Sequence, residues 1–265
     1  MIYVCIPAHN EERTIGVLLW KIRKVMREFG RDYEVLVLDD ASTDGTATVL
    51  DRYRHVLPLK VLKEEHRAGY PHAVQRLLRE ALNRTSYPKR DAAVLMQADF
   101  SESPDYIVPL LKALEGGADV VAGVVEPNGH LMPDGPDGPS GPSGRRAPRA
   151  VRMARRMAPW VLGRAYGGAP VSDPLSGFRA YRLIVLKKAL AEFRGRPFLT
   201  TDSWASNVEL LGLVAPHARR IAEAPVTLRY DVEGRPSRLS AVRTLRGLLR
   251  VRRERWESPA REGKQ

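Results

Sequence analysis

Short apolar runs alternate with amphipathic stretches along the first part of the chain. Five runs have the length of buried strands and lie at residues 1–7, 34–38, 59–62, 92–96 and 119–125. The stretches between them place apolar residues three or four positions apart, which is typical of helices with one buried face. Strands and helices alternating in this way predict an α/β fold with a mainly parallel, twisted sheet flanked by helices.

The pattern is interrupted once and then resumes. Residues 127–148 contain a near-repeat of Asp-Gly-Pro and Ser-Gly-Pro, which predicts a flexible loop without regular structure. A tethering linker and a lid over a ligand site are both open interpretations of this loop. Beyond it we expect a helix over 149–166, then a turn leading into a short strand over 173–182. The remaining predicted elements are two helices, a strand and a final helix, at residues 183–192, 203–213, 220–230 and 239–255.

Positive charge is concentrated in two segments of the chain. The formal charge is +12, residues 145–156 carry six arginines and no acid, and residues 235–256 carry eight arginines and one glutamate. The rest of the chain is therefore close to neutral. Such patches suit nucleic acid, an anionic membrane surface or phosphate-bearing ligands. The aromatic residues that would stack bases are not interleaved with these arginines, which disfavours nucleic acid.

The final predicted helix, at residues 239–255, is both basic and amphipathic. We expect Leu239, Val242, Leu245 and Leu249 to lie on one side of it, with arginines on the adjacent side. Packing against the body of the protein and lying on a membrane surface are both consistent with this pattern.

Cysteine content and hydropathy indicate the compartment. The single cysteine, Cys5, cannot form an intrachain disulfide, so a reducing compartment is expected. No apolar run approaches the ~18–20 residues that a membrane span requires, and no signal peptide is visible at the N-terminus. The sequence therefore predicts a cytoplasmic protein.

Polar and acidic residues follow three of the predicted strands. They are Asn10-Glu11, Asp39-Asp40 and Asp99. The carboxyl ends of parallel strands form one edge of the sheet, where ligands bind. A binding site therefore explains three such clusters better than helix capping does. The first strand–helix turn lacks the glycines of a dinucleotide-binding fold, and no Walker-type loop is present. We expect a sugar-nucleotide held by its base, its ribose and a metal-bridged diphosphate.

Three motifs at these strand ends resemble those of family-2 glycosyltransferases with the GT-A fold. They are Ile-Pro-Ala-His-Asn-Glu-Glu at 6–12, Val-Leu-Asp-Asp-Ala-Ser-Thr-Asp-Gly-Thr at 37–46, and Gln-Ala-Asp at 97–99 followed by Pro104. Three later segments are similar to dolichyl-phosphate mannosyltransferases and related polyprenyl-phosphate sugar transferases. These are Asp-Pro-Leu-Ser-Gly-Phe-Arg at 173–179, Glu-Ala-Pro-Val at 223–226 and Gly-Arg-Pro-Ser-Arg-Leu at 234–239.

The resemblance implies a division of the chain into a catalytic domain and a tail. Residues 1–230 would form a GT-A catalytic domain, and residues 231–265 a basic C-terminal helix and tail. Within the domain, residues 1–125 would bind the nucleotide-sugar and residues 126–148 would form the flexible Gly/Pro loop. Residues 149–230 would form the acceptor-side half.

The resemblance also implies an activity. The protein would be an inverting, metal-dependent hexosyltransferase that moves one sugar from a GDP- or UDP-sugar to a polyprenyl (dolichyl-type) phosphate at the cytoplasmic membrane face. The acceptor phosphate is already an anion, so positioning and electrostatics would suffice without a strong general base. Two alternatives stay open: a soluble glycosyltransferase acting on a small anionic acceptor, and a sugar-nucleotide-binding protein without catalysis.

Individual residues acquire roles from the same resemblance. The residues that would bind the nucleotide-sugar are Pro7, Ala8, Asn10, Glu11, Asp39, Asp40, Gln97 and Asp99, with Asp40 near the ribose or diphosphate. Asp99, Gln97 and Ser101 would hold Mg²⁺ or Mn²⁺. Arg152, Arg179 and Arg238 would bind the acceptor phosphate, because the guanidinium fork suits phosphate. Asp99 and Arg152 would be the catalytic residues, while a solvent-exposed helix face is the alternative for Arg152.

Two positions of the expected metal site differ from the family pattern. The family commonly has an acid where Gln97 stands and an amide or similar ligand where Ser101 stands. A neutral Gln97 can coordinate only through its carbonyl oxygen. We therefore expect weaker metal binding, or a metal that depends more on the diphosphate.

Overall fold

The apolar runs of the sequence form the strands of one sheet. The computed structural model describes residues 1–125, 158, 171–193, 195–201, 204–227 and 241–254. Within these ranges the sheet has seven strands in the order β3-β2-β1-β4-β6-β5-β7. The strands are β1 (Ile2–Ala8), β2 (Tyr33–Asp40), β3 (Leu59–Glu64), β4 (Ala92–Leu95), β5 (Val120–Val125), β6 (Arg179–Arg182) and β7 (Ile221–Val226).

The sheet is parallel except at one strand. β1 pairs in parallel with β2 and β4, β2 with β3, and β5 with β7. β6 runs antiparallel between β4 and β5. The prediction of a mainly parallel α/β sheet is therefore confirmed, and the reversal of β6 brings the chain segment before it to the carboxyl ends of the other strands.

Helices cover both faces of this sheet. The helices are α1 (Ile15–Phe29), α2 (Thr46–Tyr53), α3 (Tyr70–Arg84), α4 (Ile107–Glu115), α5 (Leu183–Leu190), α6 (Ala205–Val214) and α7 (Ala241–Glu254). α1, α2 and α4 pack on one face, and α3, α5 and α6 pack on the other. A single 3-10 turn, Pro104–Tyr106, precedes α4.

The predicted apolar face of α1 is confirmed. Ile15, Leu18, Leu19, Ile22 and Val25 are all buried, at the spacings of three and four that the sequence shows. Burying one such side chain stabilises the fold by roughly 1.5–3 kcal/mol.

Cys5 is a core residue on the opposite face of the sheet. It is fully buried, and burial raises the pKa of its thiol. The side chain therefore stays a neutral, unreactive part of the core.

The C-terminal helix α7 packs against α6. Thr244, Leu248 and Val251 are buried, the last two in a small apolar cluster with α6. Leu249, predicted to lie on the apolar side, is 50% exposed, and Arg246 is exposed as well. That Leu249 shares one side with Leu239, Val242 and Leu245 stays a prediction, because the placement of those three side chains lies outside what the structure describes.

Several predicted features lie outside the described residues. These are the loop at 127–148, all of the helix at 149–166 except Ala158, and the last part of the strand predicted to reach residue 230. Ala158 is helical and buried. Among the helices that the structure describes, none combines the length and the apolar composition that crossing a membrane demands.

Candidate active site

The carboxyl ends of β1, β2 and β4 meet at one edge of the sheet. β1 and β2 are in register, so Ala8 lies beside Asp39. The reversed strand β6 begins at Arg179, which pairs with Leu95, the last residue of β4. The turn before β6, residues 173–178, therefore reaches the same edge. The polar strand ends and this turn surround one region, which we take as the candidate active site.

The first two strand ends are joined by hydrogen bonds between their loops. The Asn10 N–H donates to Ser42 Oγ (2.9 Å), and the Thr43 N–H donates to Asn10 Oδ1 (2.8 Å). The Glu11 N–H donates to Thr46 Oγ1 at 2.8 Å. We call these bonds the β1–β2 clasp. The clasp fixes Asn10 and Glu11 relative to the end of β2.

The other residues predicted at the end of β1 lie in its last two positions or just after the strand. Pro7 and Ala8 are the last two residues of the strand. Glu11 is buried, and its carboxylate accepts a hydrogen bond from the Thr14 hydroxyl (3.1 Å). His9 Nδ1 lies 2.7 Å from the Asp40 main-chain oxygen, a further link between the two strand ends.

Three non-glycine residues of the described structure have a left-handed backbone. They are Asn10 (φ 54°), Ala41 (φ 53°) and Phe100 (φ 62°), which follow β1, β2 and β4. Conformations of this kind cost roughly 1–3 kcal/mol each and persist where surrounding contacts determine the backbone. All three lie at the candidate edge, which indicates that its loops are held in one conformation.

Adjacent aspartates at the end of β2 make different contacts. Asp39 Oδ1 accepts from the Ser42 N–H (3.0 Å), and its other oxygen has no hydrogen bond within the described residues. The Asp40 carboxylate accepts from the N–H groups of Ala68 (2.7 Å) and Gly69 (2.8 Å), with one bond to each oxygen. Asp39 is thus available to a ligand, whereas Asp40 holds the loop that leads into α3.

Asp99 lies in a turn that is closed by its own hydrogen bonds. Asp99 Oδ1 accepts from the N–H (3.0 Å) and the hydroxyl (2.6 Å) of Ser101. The Glu102 carboxylate, 4% exposed, accepts from the Gln97 N–H at 2.8 Å. In the described part of the chain no hydrogen bond involves Asp99 Oδ2. The turn therefore orients Asp99 and leaves one carboxylate oxygen for a ligand.

These residues alone do not form a closed metal cage. The described ranges contain no group of three or more His, Cys, Asp or Glu side chains that could hold a metal ion. The edge offers one open oxygen of Asp99 and, as a neutral donor, the Gln97 amide. Mg²⁺ is commonly bound by one or two carboxylates together with substrate phosphates. The residues present therefore fit an ion that is shared with a diphosphate.

The turn before β6 is held by Arg179 from inside the protein. Arg179 is 0% exposed, and its guanidinium donates to the main-chain oxygens of Asn207 (2.5 Å) and Pro174 (2.6 Å). The Asn207 side-chain amide donates to the Leu175 oxygen at 3.1 Å. The predicted contact of Arg179 with an acceptor phosphate stays a prediction, and this burial favours a structural role.

The other two predicted acceptor arginines, Arg152 and Arg238, lie outside the described residues. Val125 and Val226, the last residues of β5 and β7, pair with each other. Since both strands run parallel to β4, they also end at the candidate edge. The roles assigned to Arg152 and Arg238 remain predictions.

Three residues that shape this edge were not predicted from the sequence: Tyr70, Glu102 and Asn207. Glu102 could have been found, because it stands three residues after Asp99 in the same polar turn. The Tyr70 hydroxyl donates to Asn207 Oδ1 (2.9 Å) across 137 positions of sequence. No pattern in a single sequence connects residues so far apart.

A cavity of about 780 Å³ opens at the opposite end of the sheet, beside the first residues of β1 and β4. Two of the arginines there pair with acids: Arg84 contacts Glu34 at 2.6 Å, and Arg31 contacts Glu115 at 3.1 Å. None of the strand-end residues described above lines this cavity. It is separate from the candidate active site.

The fold is the GT-A fold that the motifs predicted. It resembles the crystal structure of glucosyl-3-phosphoglycerate synthase from Mycobacterium tuberculosis in complex with Mn²⁺, UDP and glucosyl-3-phosphoglycerate. The TM-score is 0.61 at 20% sequence identity, over 96% of this chain and 79% of that chain. An identity this low supports a shared fold only.

The family follows from the sequence match. The profile of Glycosyl transferase family 2 matches residues 3–188. The chain belongs to glycosyl transferase family 2, and it is a glycosyltransferase by membership. The resemblance inferred from the three strand-end motifs is thereby confirmed.

Two relatives act on polyprenyl phosphates according to their names. The dolichol-phosphate mannosyltransferase of Pyrococcus furiosus is 31% identical over 120 residues, which are 45% of this chain and 32% of that protein. The undecaprenyl-phosphate mannosyltransferase of Micrococcus luteus is 27% identical over 226 residues, 84% of this chain and 81% of that protein. This chain thus spans less than half of the first relative and most of the second.

Proposed function

We propose that this protein is an inverting glycosyltransferase that moves one hexose from a GDP- or UDP-sugar to a polyprenyl phosphate. The observation that carries the proposal is the open oxygen of Asp99, presented at the strand edge beside Asp39 and the β1–β2 clasp. The names of the Pyrococcus and Micrococcus relatives support a polyprenyl-phosphate acceptor.

On the donor side, the strand ends would bind the nucleotide. Asp39 would accept hydrogen bonds from the nucleoside, while the clasp keeps Asn10 and Glu11 in place around it. Asp40 would act indirectly, by holding the loop at Ala68 and Gly69 in place. A divalent cation, Mg²⁺ or Mn²⁺, would stabilise the charge of the leaving diphosphate. Support comes from the M. tuberculosis synthase, which has been solved with Mn²⁺ and with Mg²⁺ together with UDP.

Asp99 would hold this cation through Oδ2, with Gln97 as a neutral second ligand. The predicted third ligand, Ser101, donates its hydroxyl to Asp99 in the structure. Its main contribution would then be to orient the carboxylate. This arrangement leaves most of the cation's ligand positions to phosphate oxygens and water.

On the acceptor side, an oxygen of the acceptor phosphate would attack the anomeric carbon opposite the leaving diphosphate. The new carbon–oxygen bond forms as the bond to the diphosphate breaks, so the configuration inverts. Arg152 and Arg238 would neutralise the acceptor phosphate. Glu209 of α6 is engaged elsewhere, since it accepts from the N–H and hydroxyl groups of Thr200 and Thr201. An anionic nucleophile requires no proton transfer to such a group.

A polyprenyl phosphate acceptor places the reaction at a membrane surface. The outward side of α7 supports peripheral contact, because Arg246 is exposed one helical turn from the half-exposed Leu249. Anionic headgroups attract such arginines, and an exposed leucine adds apolar contact. We propose that the protein binds peripherally to the cytoplasmic membrane face.

The test is to measure donor binding and turnover for wild type and for Asp99→Asn. With Mg²⁺ present, wild type should bind a GDP- or UDP-sugar by calorimetry and transfer the sugar to polyprenyl phosphate. Losing the carboxylate charge should lower kcat about a hundredfold or more, as does removing a group that stabilises transition-state charge.

Asp105→Asn is the matched control, because Asp105 lies six positions further on, is exposed, and contacts Lys21 and the Ser103 hydroxyl at the surface. Its kcat should stay within about twofold of wild type. If no GDP- or UDP-sugar binds to wild type at millimolar concentration, the proposed function is wrong.

A second candidate is transfer to a water-soluble phosphorylated acceptor. The structural neighbour from M. tuberculosis favours it, since its bound product is glucosyl-3-phosphoglycerate and it covers nearly all of this chain. The two candidate acceptors can be separated by measuring the nucleoside diphosphate released during turnover. One reaction contains 3-phosphoglycerate and the other a short polyprenyl phosphate in detergent. Faster turnover with the soluble acceptor would replace the lipid proposal.

A further inference from the structure

A continuous series of contacts connects the donor-side strand end to the acceptor-side turn. It begins at Asp40, whose carboxylate holds the N–H groups of Ala68 and Gly69. Gly69 has φ +90°, a conformation that strongly favours glycine, and is followed directly by Tyr70, the first residue of α3. The carboxylate of Asp40 therefore fixes the backbone from which the Tyr70 side chain extends.

Tyr70 in turn contacts the turn at residues 173–178 through Asn207. Its hydroxyl donates to Asn207 Oδ1 (2.9 Å), and the Asn207 amide donates to the Leu175 oxygen (3.1 Å). Arg179 donates to the Asn207 main-chain oxygen and so fixes the same residue from the other side. One hydroxyl thus links the start of α3 to α6 and to the turn before β6.

The space between these residues is closed. A Cβ atom at Gly177 would lie 2.9 Å from Tyr70 Oη and 3.1 Å from Asn207 Nδ2. The first distance is shorter than real Cβ contacts and the second is tight, so the absence of a side chain at Gly177 lets the turn approach the Tyr70–Asn207 pair. The turn is therefore packed directly against the hydroxyl and is poorly able to shift on its own.

The Tyr70 hydroxyl also stays a donor over the working pH range. Burial and, second, the negative charge of Glu102 raise the pKa of Tyr70 above its usual value. Glu102 is the residue that closes the Asp99 turn through the Gln97 N–H. Tyr70 is therefore influenced electrostatically by the turn that presents Asp99, and it is bonded through Asn207 to the turn that precedes β6.

We propose that Tyr70 is a positioning residue, whose hydroxyl sets the place of the turn at 173–178 relative to the donor site. This inference rests on the proposed function for its kinetic part, because the turn then borders the acceptor. Tyr70 contacts no reacting atom in this proposal. Its effect reaches the acceptor through Asn207 and the turn.

The test is Tyr70→Phe, which removes the hydroxyl and keeps the ring. Amide hydrogen exchange of the intact protein should become about tenfold faster in residues 173–178, whose Leu175 and Ser176 N–H groups are hydrogen-bonded in the turn. Exchange in residues 42–46 should not change, because the β1–β2 clasp is independent of Tyr70. This measurement needs no activity.

The kinetic arm separates positioning from a general loss of structure. For Tyr70→Phe we expect the acceptor KM to rise about tenfold while the donor Kd stays within about twofold. Tyr87→Phe is the matched control, since Tyr87 is 60% exposed and lies at the other end of the sheet. It should behave as wild type in both measurements.

The outcomes are distinguishable. Unchanged exchange in 173–178, or an equal increase in 42–46, overturns the proposal, and so does an unchanged acceptor KM in an active enzyme. If wild type transfers no sugar, the proposed function fails, while exchange still decides whether Tyr70 holds the turn.

Discussion

At the scale of single residues, the amide at position 97 is the main chemical question. Gln97 stands at the end of β4, two positions before Asp99, where a carboxylate would add a second negative charge. Because divalent affinity rises with ligand charge, Gln97→Asp should lower the Mg²⁺ concentration for half-maximal activity by about tenfold. Titrating Mg²⁺ against turnover at saturating donor measures this shift.

The same titration tests the alternative of a binding protein without catalysis. Under that alternative wild type would be inactive and only Gln97→Asp would turn over. Gln75→Asp is not a suitable control, since Gln75 is buried and bonds to Phe198 and Leu199. Gln97→Glu, which carries the same charge on a longer side chain, is the better one. An unchanged Mg²⁺ requirement in both variants would contradict a metal role for position 97.

The sequence predicts which residues lie at the strand ends, but it does not predict all of their hydrogen-bond partners. Asp39 and Asp40 have the same chemistry and neighbouring places in the sequence. Asp40 differs only because the N–H groups of Ala68 and Gly69 meet it in space. Likewise, the motif around Arg179 shows a cation, but not that main-chain oxygens enclose it. Such non-local partners leave no pattern in a single sequence.

At the scale of elements, a buried hydroxyl makes one of the three bonds of the β1–β2 clasp. Thr46 is fully buried, accepts from the Glu11 N–H and donates to Asp44 Oδ1. Thr46→Val keeps the shape and removes both bonds, so the free energy of unfolding should fall by about 1–3 kcal/mol. Urea unfolding measures the change. Donor affinity should also decrease, because the Glu11 N–H loses the bond that links it to the start of α2.

Thr48→Val provides the control for the clasp. Thr48 lies two positions further along α2 and is exposed, so the same chemical change should alter stability by about 0.5 kcal/mol or less. Equal losses in the two variants would mean that exchanging a hydroxyl for a methyl group in α2, and not the loss of the clasp bond, determines the result.

Elements with a strong apolar period were predictable, whereas their arrangement was not. The stripe from Ile15 to Val25 defines α1, since burial on one face requires that spacing. The reversed position of β6 between β4 and β5 depends on pairings between distant segments. The packed side of α7 was not predictable for a related reason: Leu248 and Leu249 are equally apolar, and only the location of α6 decides which is buried.

At the scale of the whole molecule, exposed arginines lie on helices that cover opposite faces of the sheet. α7 packs on α6, and therefore belongs to the face that also carries α3 and α5. α1 lies on the opposite face. If the membrane is met through α7, arginines on the two faces should contribute unequally, although both are exposed. The distribution of charge, and not the net value of +12, then determines membrane binding.

Arg246→Glu on α7 and Arg27→Glu on α1 test this asymmetry, since both residues are exposed and both changes are identical. Near an anionic surface each arginine contributes about 1 kcal/mol, so Arg246→Glu should weaken binding to vesicles containing phosphatidylserine by about tenfold. Arg27→Glu should change it by less than about twofold, because that face points away from the surface. Co-sedimentation measures both, and binding of wild type should decrease as salt is raised. Equal effects of the two substitutions would mean that the attraction is non-directional, and would remove α7 as the membrane-facing element.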